Sequence, residues 1–413
     1  MFNNINKLLE KSLQLEEPWE ITHAEFNEKE GAAHITVDVR KGAQFVCPEC
    51  GGETKRYGYE PNERVWRHAD ICFFPCYIHC KRPRVLCPHC GVKQIEAPFE
   101  RKNSRFTLQF ESYAMLILTD MPIERAAKIL RCDDKSLTSI LRYWVNDALE
   151  KRQLDDVISL AIDETSFKKG HKYVTVVIDS AKRAVIDVEP GKDKSAVENF
   201  ARKLCEKSGD NNNITSVTCD MSKAFTNAIS ERFPNADTTI DKFHVKQIVL
   251  NALDEVRKAE QKESQSKLGL FRGRRLFMIP EQKLTNEQAA SIAALSKSYP
   301  QTGRAYRIVS AFDLFYDCES FDVAEKAFDK LYSWMRRCRL EPFKCTAKTL
   351  KDHKNSILNY FKNRFTNAIC EGINSTIQAA KRKARGFHTF EGFSAMIYLA
   401  AGKLKLDCPK IFV

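Results

Sequence analysis

Two short runs constrain this chain more than any other feature: Cys47-Pro48-Glu49-Cys50-Gly51 and Cys87-Pro88-His89-Cys90-Gly91. Each such turn aims two thiolates at one point, and two turns together complete a tetrahedral S₄ shell that suits Zn²⁺. The chain must therefore bring residue 90 back to residue 47, so residues 51–86 must form a small module of their own. That stretch is β-rich and basic. A structural zinc on Cys47, Cys50, Cys87 and Cys90 explains the repeated run better than four ordinary thiols do. Cys72, Cys76 and Cys80 lie between the knuckles, with His68, His79 and His89 nearby. In a strand, Cys76, Ile78 and Cys80 share one face and read as buried thiols rather than ligands. Arg64, Arg67, Lys81, Arg82 and Arg84 either contact phosphates or line a solvated face.

Zinc in place of disulfides fits the rest of the sequence. The chain of 413 residues is long enough for several domains, and its start, Met1 to Lys7, shows no charged-then-apolar signal peptide. No apolar stretch approaches the roughly 20 residues that span a bilayer. The expected setting is a reducing cytoplasm, without a membrane partner, where the 15 cysteines are thiols or ligands. With 66 Lys and Arg against 54 Asp and Glu, the net charge is +12. That excess favours a polyanionic partner.

Residues 1–40 read as a short helix and two strands, the second being His34–Val39. From about 104 to 150 the period is helical. Pro122 to Leu130, a short polar turn, and Lys135 to Trp144 have the proportions of a helix-turn-helix, with Asp133 or Asp134 as the cap of the second helix. Leu137, Ile140, Leu141 and Trp144 would be buried. Lys135, Ser136, Ser139, Arg142 and Tyr143 would then face a major groove. Residues 157–242 alternate: strands 158–163, 172–178 and 184–188, helix 194–207, strand 214–219, helix 222–232, strand 237–241. From 243 to 361 only helix is expected, and 366–403 forms a last helical group.

Three carboxylates stand out against that order. Asp163 is expected to close the apolar run Ser159–Ile162, and Asp220 to close Ile214–Cys219. On two parallel strands they would share the carboxyl-end crevice where open α/β sheets bind ligands. Glu371 falls on a late helix where Ile369, Ile373, Ile377 and Ala380 form the apolar stripe, and Glu371, Asn374, Ser375, Gln378 and Arg382 the polar one. Two strand aspartates and a helix glutamate are a donor set for Mg²⁺ or Mn²⁺ in metal-assisted phosphoryl transfer. Asp241 competes with Asp220 for the middle position, because it also ends a strand and is followed by His244. Glu164 cannot join Asp163, since adjacent strand residues face opposite ways.

The blocks Asp163 to Val174, Asp220-Met221, Asp241 to Val245, Thr366 to Asn374, Lys381-Arg382 and Gly386-Phe387 together resemble the ISL-type (ISL-three) insertion-sequence transposases. The resemblance runs over nearly the whole chain in one order. It implies a multidomain α+β protein: a zinc-binding β module (1–100), a helix-turn-helix (101–152), and a ribonuclease H-like α/β catalytic core (153–244 and 361–413) interrupted by an all-helical insertion (245–360). It further implies a DDE transposase with Asp163, Asp220 and Glu371 as catalytic and Mg²⁺-binding triad. Asp241, His244, Asn374 and Lys381 would be further active-site residues. The expected partners are terminal inverted repeats and target DNA, with a dimer or larger assembly pairing two ends. The expected contacts are Lys135, Ser136, Ser139, Arg142, Arg82, Arg84, Arg274, Arg275, Lys381 and Arg382. No covalent protein–DNA link is needed, so Ser166 and Tyr173 read as packing or positioning residues. In the insertion, Trp334 beside Arg336 and Arg337 reads as core more than as a base-stacking residue. Two other readings stay open: a catalytically inactive zinc and helix-turn-helix regulator, and a nuclease or resolvase of the same fold.

Overall fold

In the computed structural model, which describes residues 2–168, 172–264, 267–363, 368–384, 386–387 and 389–409, the zinc-knuckle region is built from strands alone. Helix α1 (Phe2–Ser12) leads into β1 (Trp19–Asn27), β2 (Ala32–Val39), β3 (Gln44–Val46), β4 (Glu53–Tyr59), β5 (Arg64–Ile71), β6 (Phe74–Cys80), β7 (Pro83–Cys87) and β8 (Gly91–Gln94). They form two four-stranded sheets, ordered β1-β2-β6-β5 and β3-β4-β7-β8. Alternation decides which side is buried. Ile35, Val37 and Val39 of β2 and Cys76, Ile78 and Cys80 of β6 point inward, around Trp19, Trp66 and Phe99. Cys76 and Cys80 are therefore core thiols, and Cys72 lies exposed beyond their strand.

Helices α2 (Leu108–Asp120), α3 (Ile123–Leu130) and α4 (Asp134–Lys151) follow. Thr107 caps α2 by accepting from the Phe110 amide at 3.2 Å, and Asp133 caps α4 by accepting from the Ser136 amide at 2.8 Å. The chain turns between α3 and α4 through Arg131, which is left-handed at φ 52°.

The third sheet contains β9 (Ser159–Lys168), β10 (Lys172–Asp179), β11 (Ala184–Pro190), β12 (Ser216–Cys219) and β13 (Asp237–Ile240), in the order β11-β10-β9-β12-β13. β9, β10 and β11 are antiparallel, and β9, β12 and β13 are parallel. α5 (Lys194–Glu206) and α6 (Lys223–Arg232) bury Val197, Phe200, Phe225 and Ile229 with Ile162, Val217 and Cys219 of the sheet. One residue further along each strand, the side chain turns to the opposite face. Asp163 and Asp220 occupy those positions.

The helical segment comprises α7 (Lys242–Glu263), α8 (Lys267–Gly273), α9 (Asn286–Ser298), α10 (Pro300–Phe315), α11 (Phe321–Arg337), α12 (Glu341–Asp352) and α13 (Lys354–Asn363). Its core joins Val249, Leu253, Phe312, Phe315, Phe328, Phe343 and Ile357. The buried Glu260 carboxylate of α7 caps α10 from outside, accepting from the Gln301 amide at 3.0 Å and the Thr302 amide at 2.7 Å. Trp334 is not core: α11 buries Ala324, Phe328, Leu331 and Met335, and Trp334 lies one step off that stripe, exposed. Last come α14 (Ala368–Lys383) and α15 (Phe390–Ala401). The described residues fall into two compact units: Met1–Lys151 with Ala380–Ala400 and Leu404–Val413, and Arg152–Ala379 with Ala401–Lys403. Among the described residues, no helix is long and apolar enough to cross a membrane.

Candidate active site and zinc centre

The two knuckles meet. The Sγ atoms of Cys47, Cys50, Cys87 and Cys90 all lie within 4.8 Å of one another, with Cys50 and Cys87 at 3.4 Å. Gly51 and Gly91 directly follow the second cysteine of each pair at φ 72° and 75°, which explains why both runs end in glycine. The amides of Cys90 and His89 turn toward the Cys87 sulfur and pull its pKa down to about 6, so the thiolate that metal binding requires is favoured there. His68 and His79 lie elsewhere. His68 Nδ1 is 2.8 Å from the Thr107 hydroxyl, and His79 lies between His34 and Glu63. Four thiolates with no competing donor are a closed, structural zinc shell.

On the helix-turn-helix, Leu137, Ile140, Leu141 and Trp144 are buried, and Lys135, Ser139, Arg142 and Tyr143 are exposed. Ser136 is committed to the turn: its hydroxyl donates to Asp133 at 2.8 Å and accepts from Arg105 at 2.7 Å. Arg82 is likewise occupied, donating to Glu60 from Nε at 3.1 Å and Nη2 at 2.9 Å, with Glu100 beyond. That half-buried pairing ties Arg82 to the β module. Arg84 is half-buried; Arg274, Arg275 and Arg382 are exposed; Lys381 is half-buried on the last turn of α14.

The carboxylates sit on one line across the third sheet. Thr218 pairs with Ala161 on one side and Thr239 on the other, so continuing the register by two residues aligns Asp163, Asp220 and Asp241. Asp220 follows the last residue of β12, as expected. Asp163 does not end its strand: β9 runs on to Lys168 because β10 pairs with it that far. What ends beside Asp163 is β12, and this frees the aspartate on that side. Burial and the Asp220 charge push the Asp163 carboxyl up to about 6. His244 Nδ1 lies 2.8 Å from Asp220 Oδ1 and 3.1 Å from Asp241 Oδ2, and bonding to both raises the imidazole to about 10. Asp241 also caps α7 through the Phe243 amide at 3.1 Å.

Helix α14 meets this line through its polar stripe. Asn374 donates to Asp163 Oδ2, and Gln378 donates to the Thr165 hydroxyl at 2.8 Å. The polar stripe therefore faces the strand that carries Asp163, because the surface there is itself polar. Glu371 is exposed one turn before Asn374 on that stripe. The buried face is Cys370, Ile373 and Ile377, with Ile369 and Ala380 only half-buried. Sequence reasoning passed over Cys370, whose i, i+3, i+7 spacing with the two isoleucines was the available signal. Burial, with the charges of Asp163, Asp241, Asp220 and Glu371, holds its thiol protonated. Among the described residues, only the four cysteines bring three ligand atoms within 4.8 Å; Asp163, Asp220 and Glu371 are not drawn that close. Lys169 to His171 and Thr366-Asn367, parts of the blocks read from the sequence, lie outside the described residues.

Comparison with known proteins agrees with this layout. A family model described as transposase, that of the DDE domain of ISL3 elements, matches residues 160–397. The zinc-finger of transposase IS204/IS1001/IS1096/IS1165 matches residues 43–90, and the helix-turn-helix domain of transposase family ISL3 matches residues 95–145. The transposase for insertion sequence element IS1557 of Mycobacterium tuberculosis is 25% identical, over 92% of this chain and 91% of that one. The transposase for insertion sequence element IS1001 of Bordetella parapertussis is 23% identical, over 86% and 88%. A zinc ribbon, a helix-turn-helix and a DDE domain thus follow one another in a single chain, and the chain belongs to the ISL3 family of insertion-sequence DNA transposases.

Proposed function

We propose that Asp163, Asp220 and Glu371 form the catalytic triad of this transposase, acting on the terminal inverted repeats of its own element. One observation carries the reading. Asp163 and Asp220 stand abreast on one face of parallel strands, and Asn374 ties α14 to Asp163 one turn from Glu371. The sheet order of three antiparallel and two parallel strands supports a ribonuclease H-like core, with helices 245–360 as an insertion before Glu371.

The donor set fits a hard divalent cation. Two carboxylates lie together, and although His244 bonds Asp220, the Asp163 carboxyl is still held up to about 6; bound Mg²⁺ or Mn²⁺ would complete the compensation. Such ions, when bound, supply a water nucleophile and hold the attacking and leaving oxygens in line. The protein's own groups do the rest. Asn374 orients Asp163, and His244 with Asp241 orients Asp220. Asp163 must lose its proton to take part. The zinc module and Lys135, Ser139 and Arg142 of the helix-turn-helix hold the duplex in register. Water adds to the phosphorus at the element end, and the 3′ oxygen leaves as a hydroxyl. That hydroxyl then attacks a target phosphodiester, forming one P–O bond as another breaks. Two ends must be paired for this, so a dimer or larger assembly forms on DNA.

The test is incubation of uncut element ends with a plasmid in Mg²⁺, with cutting and joining both followed. The triad reading expects joined products. Cutting without joining would mark a nuclease, and binding with neither step a regulator.

A further inference from the structure

β5 and β6 are connected by a two-residue turn. Ile71 pairs with Phe74, which leaves Cys72 and Phe73 between them, both left-handed at φ 49° and 69°. A hairpin of this kind favours Asn-Gly, because positive φ strains most residues with a Cβ, and Asn tolerates it far better than an aromatic residue does. A phenylalanine there is a backbone outlier. Phe73 is also 88% exposed, the most open large apolar side chain among the described residues. Local stability explains neither its conformation nor its exposure, and strain of this kind persists where a site uses it.

The tip is braced. Arg131, at the turn of the helix-turn-helix, donates from Nη1 to the Phe73 carbonyl at 2.8 Å and lies 3.5 Å from Asp70. Phe74, at the base of the tip, packs edge-on against Phe26 at 4.8 Å. A cavity of about 870 Å³ separates the hairpin from the helix-turn-helix. Arg67, Arg105, Lys128 and Arg131 line it together with Glu124, Asp133 and Asp134; Arg105 is paired with Asp133, and Arg67 and Arg131 with Asp70.

We propose that this hairpin tip is a second DNA-contacting element, which inserts Phe73 against or between bases next to the groove that α4 enters. The proposal rests on the helix-turn-helix binding DNA. It is favoured over protein docking because a single projecting ring, held by Arg131 beside the helix-turn-helix, has the form of a base-step wedge or stacking platform. A protein surface would call for a broad contiguous apolar patch. The Arg131 brace fixes the reach of the ring relative to α4, so its contact falls at one position of the site.

The experiment uses the full-length protein and duplexes carrying the element's terminal inverted repeat, with 2-aminopurine placed at successive positions. Wild type should raise the fluorescence at one step. Phe73→Ala should lose that signal and bind roughly 5- to 150-fold more weakly, the range for one lost base stack. Its salt dependence should be unchanged, since no charge is removed, whereas Arg142→Ala should flatten it. Phe73→Trp should keep the signal. Replacing Cys72→Asn together with Phe73→Gly relieves the turn, so this variant should melt a few degrees higher, about 2–4 °C, yet bind as weakly as Phe73→Ala. Undiminished binding and signal in Phe73→Ala would overturn the proposal, as would a lower melting temperature in the Asn-Gly variant. Failure of the wild type to bind the repeat would instead strike the parent reading.

Discussion

The zinc-clipped unit and the carboxylate unit treat buried charge in opposite ways. In the first, Glu111 is fully buried on α2 but fully compensated. Arg101 donates to it at 2.8 and 2.9 Å, the Ser104 hydroxyl at 2.6 Å and Trp144 Nε1 at 2.9 Å. In the second, Asp163 is nearly as buried, and a second carboxylate lies next to it instead of a guanidinium. A compensated carboxylate locks helices α2 and α4 together. Among the described residues, Asp163 has only neutral donors, the Asn374 amide and the Glu164 N–H, and under the proposed reading a divalent cation would complete its charge compensation. Position in the fold does not separate the two kinds of acid; their partners do.

Loss of zinc should have the largest effect on this contrast. Structural zinc contributes on the order of 10–16 kcal/mol of apparent folding energy. Chelation, or Cys87→Ser, should unfold the strands between the knuckles and abolish end binding. The α/β unit should stay folded, as read by limited proteolysis. Next comes Glu111→Ala, which strands Arg101 and should cost about 3–5 kcal/mol in urea unfolding. Asp163→Asn should cost little or even stabilise, because it removes like-charge repulsion, while joining activity is lost. Equal destabilisation by the two changes would erase the distinction.

The smallest effect is one of sign. Burial lowers His68 to about 4, so its contribution is present above pH 6.5 and is lost as pH falls from 6.5 toward 4. Asp163 is raised from 3.8 to about 6, so its contribution is present below 3.8 and is lost as pH rises through 6. Each is on the order of 1–3 kcal/mol. In zinc-loaded, Mg²⁺-free buffer at pH 5 and 7, His68→Gln and Asp163→Asn should therefore change relative stability in opposite directions. Parallel shifts would contradict the assigned causes.

What could be read from the sequence was local. The knuckles are turns of a few residues, and the strand and helix runs of 157–242 follow periods of 2 and 3.6. β9 outran its expected end at 163 because the partner that extends it, β10, belongs to a hairpin that apolar runs do not reveal. Glu111 looks like an ordinary surface glutamate of a helix; only Arg101, Ser104 and Trp144, placed by the fold, make it core. The Asn374 bond to Asp163 spans 211 positions of chain. Helical spacing gave the stripe that holds Glu371, Asn374 and Gln378, but not what it would face. Arg82 read as a phosphate contact because Glu60 and Glu100 are distant in sequence.

Single-turnover joining of pre-cut ends by Glu371→Gln, measured beside end binding by the same protein, tests the triad most directly. The account predicts wild-type binding of the terminal repeats with joining reduced at least about 10³-fold, and the same pattern for Asp163→Asn and Asp220→Asn. Joining at the wild-type rate by Glu371→Gln would contradict it.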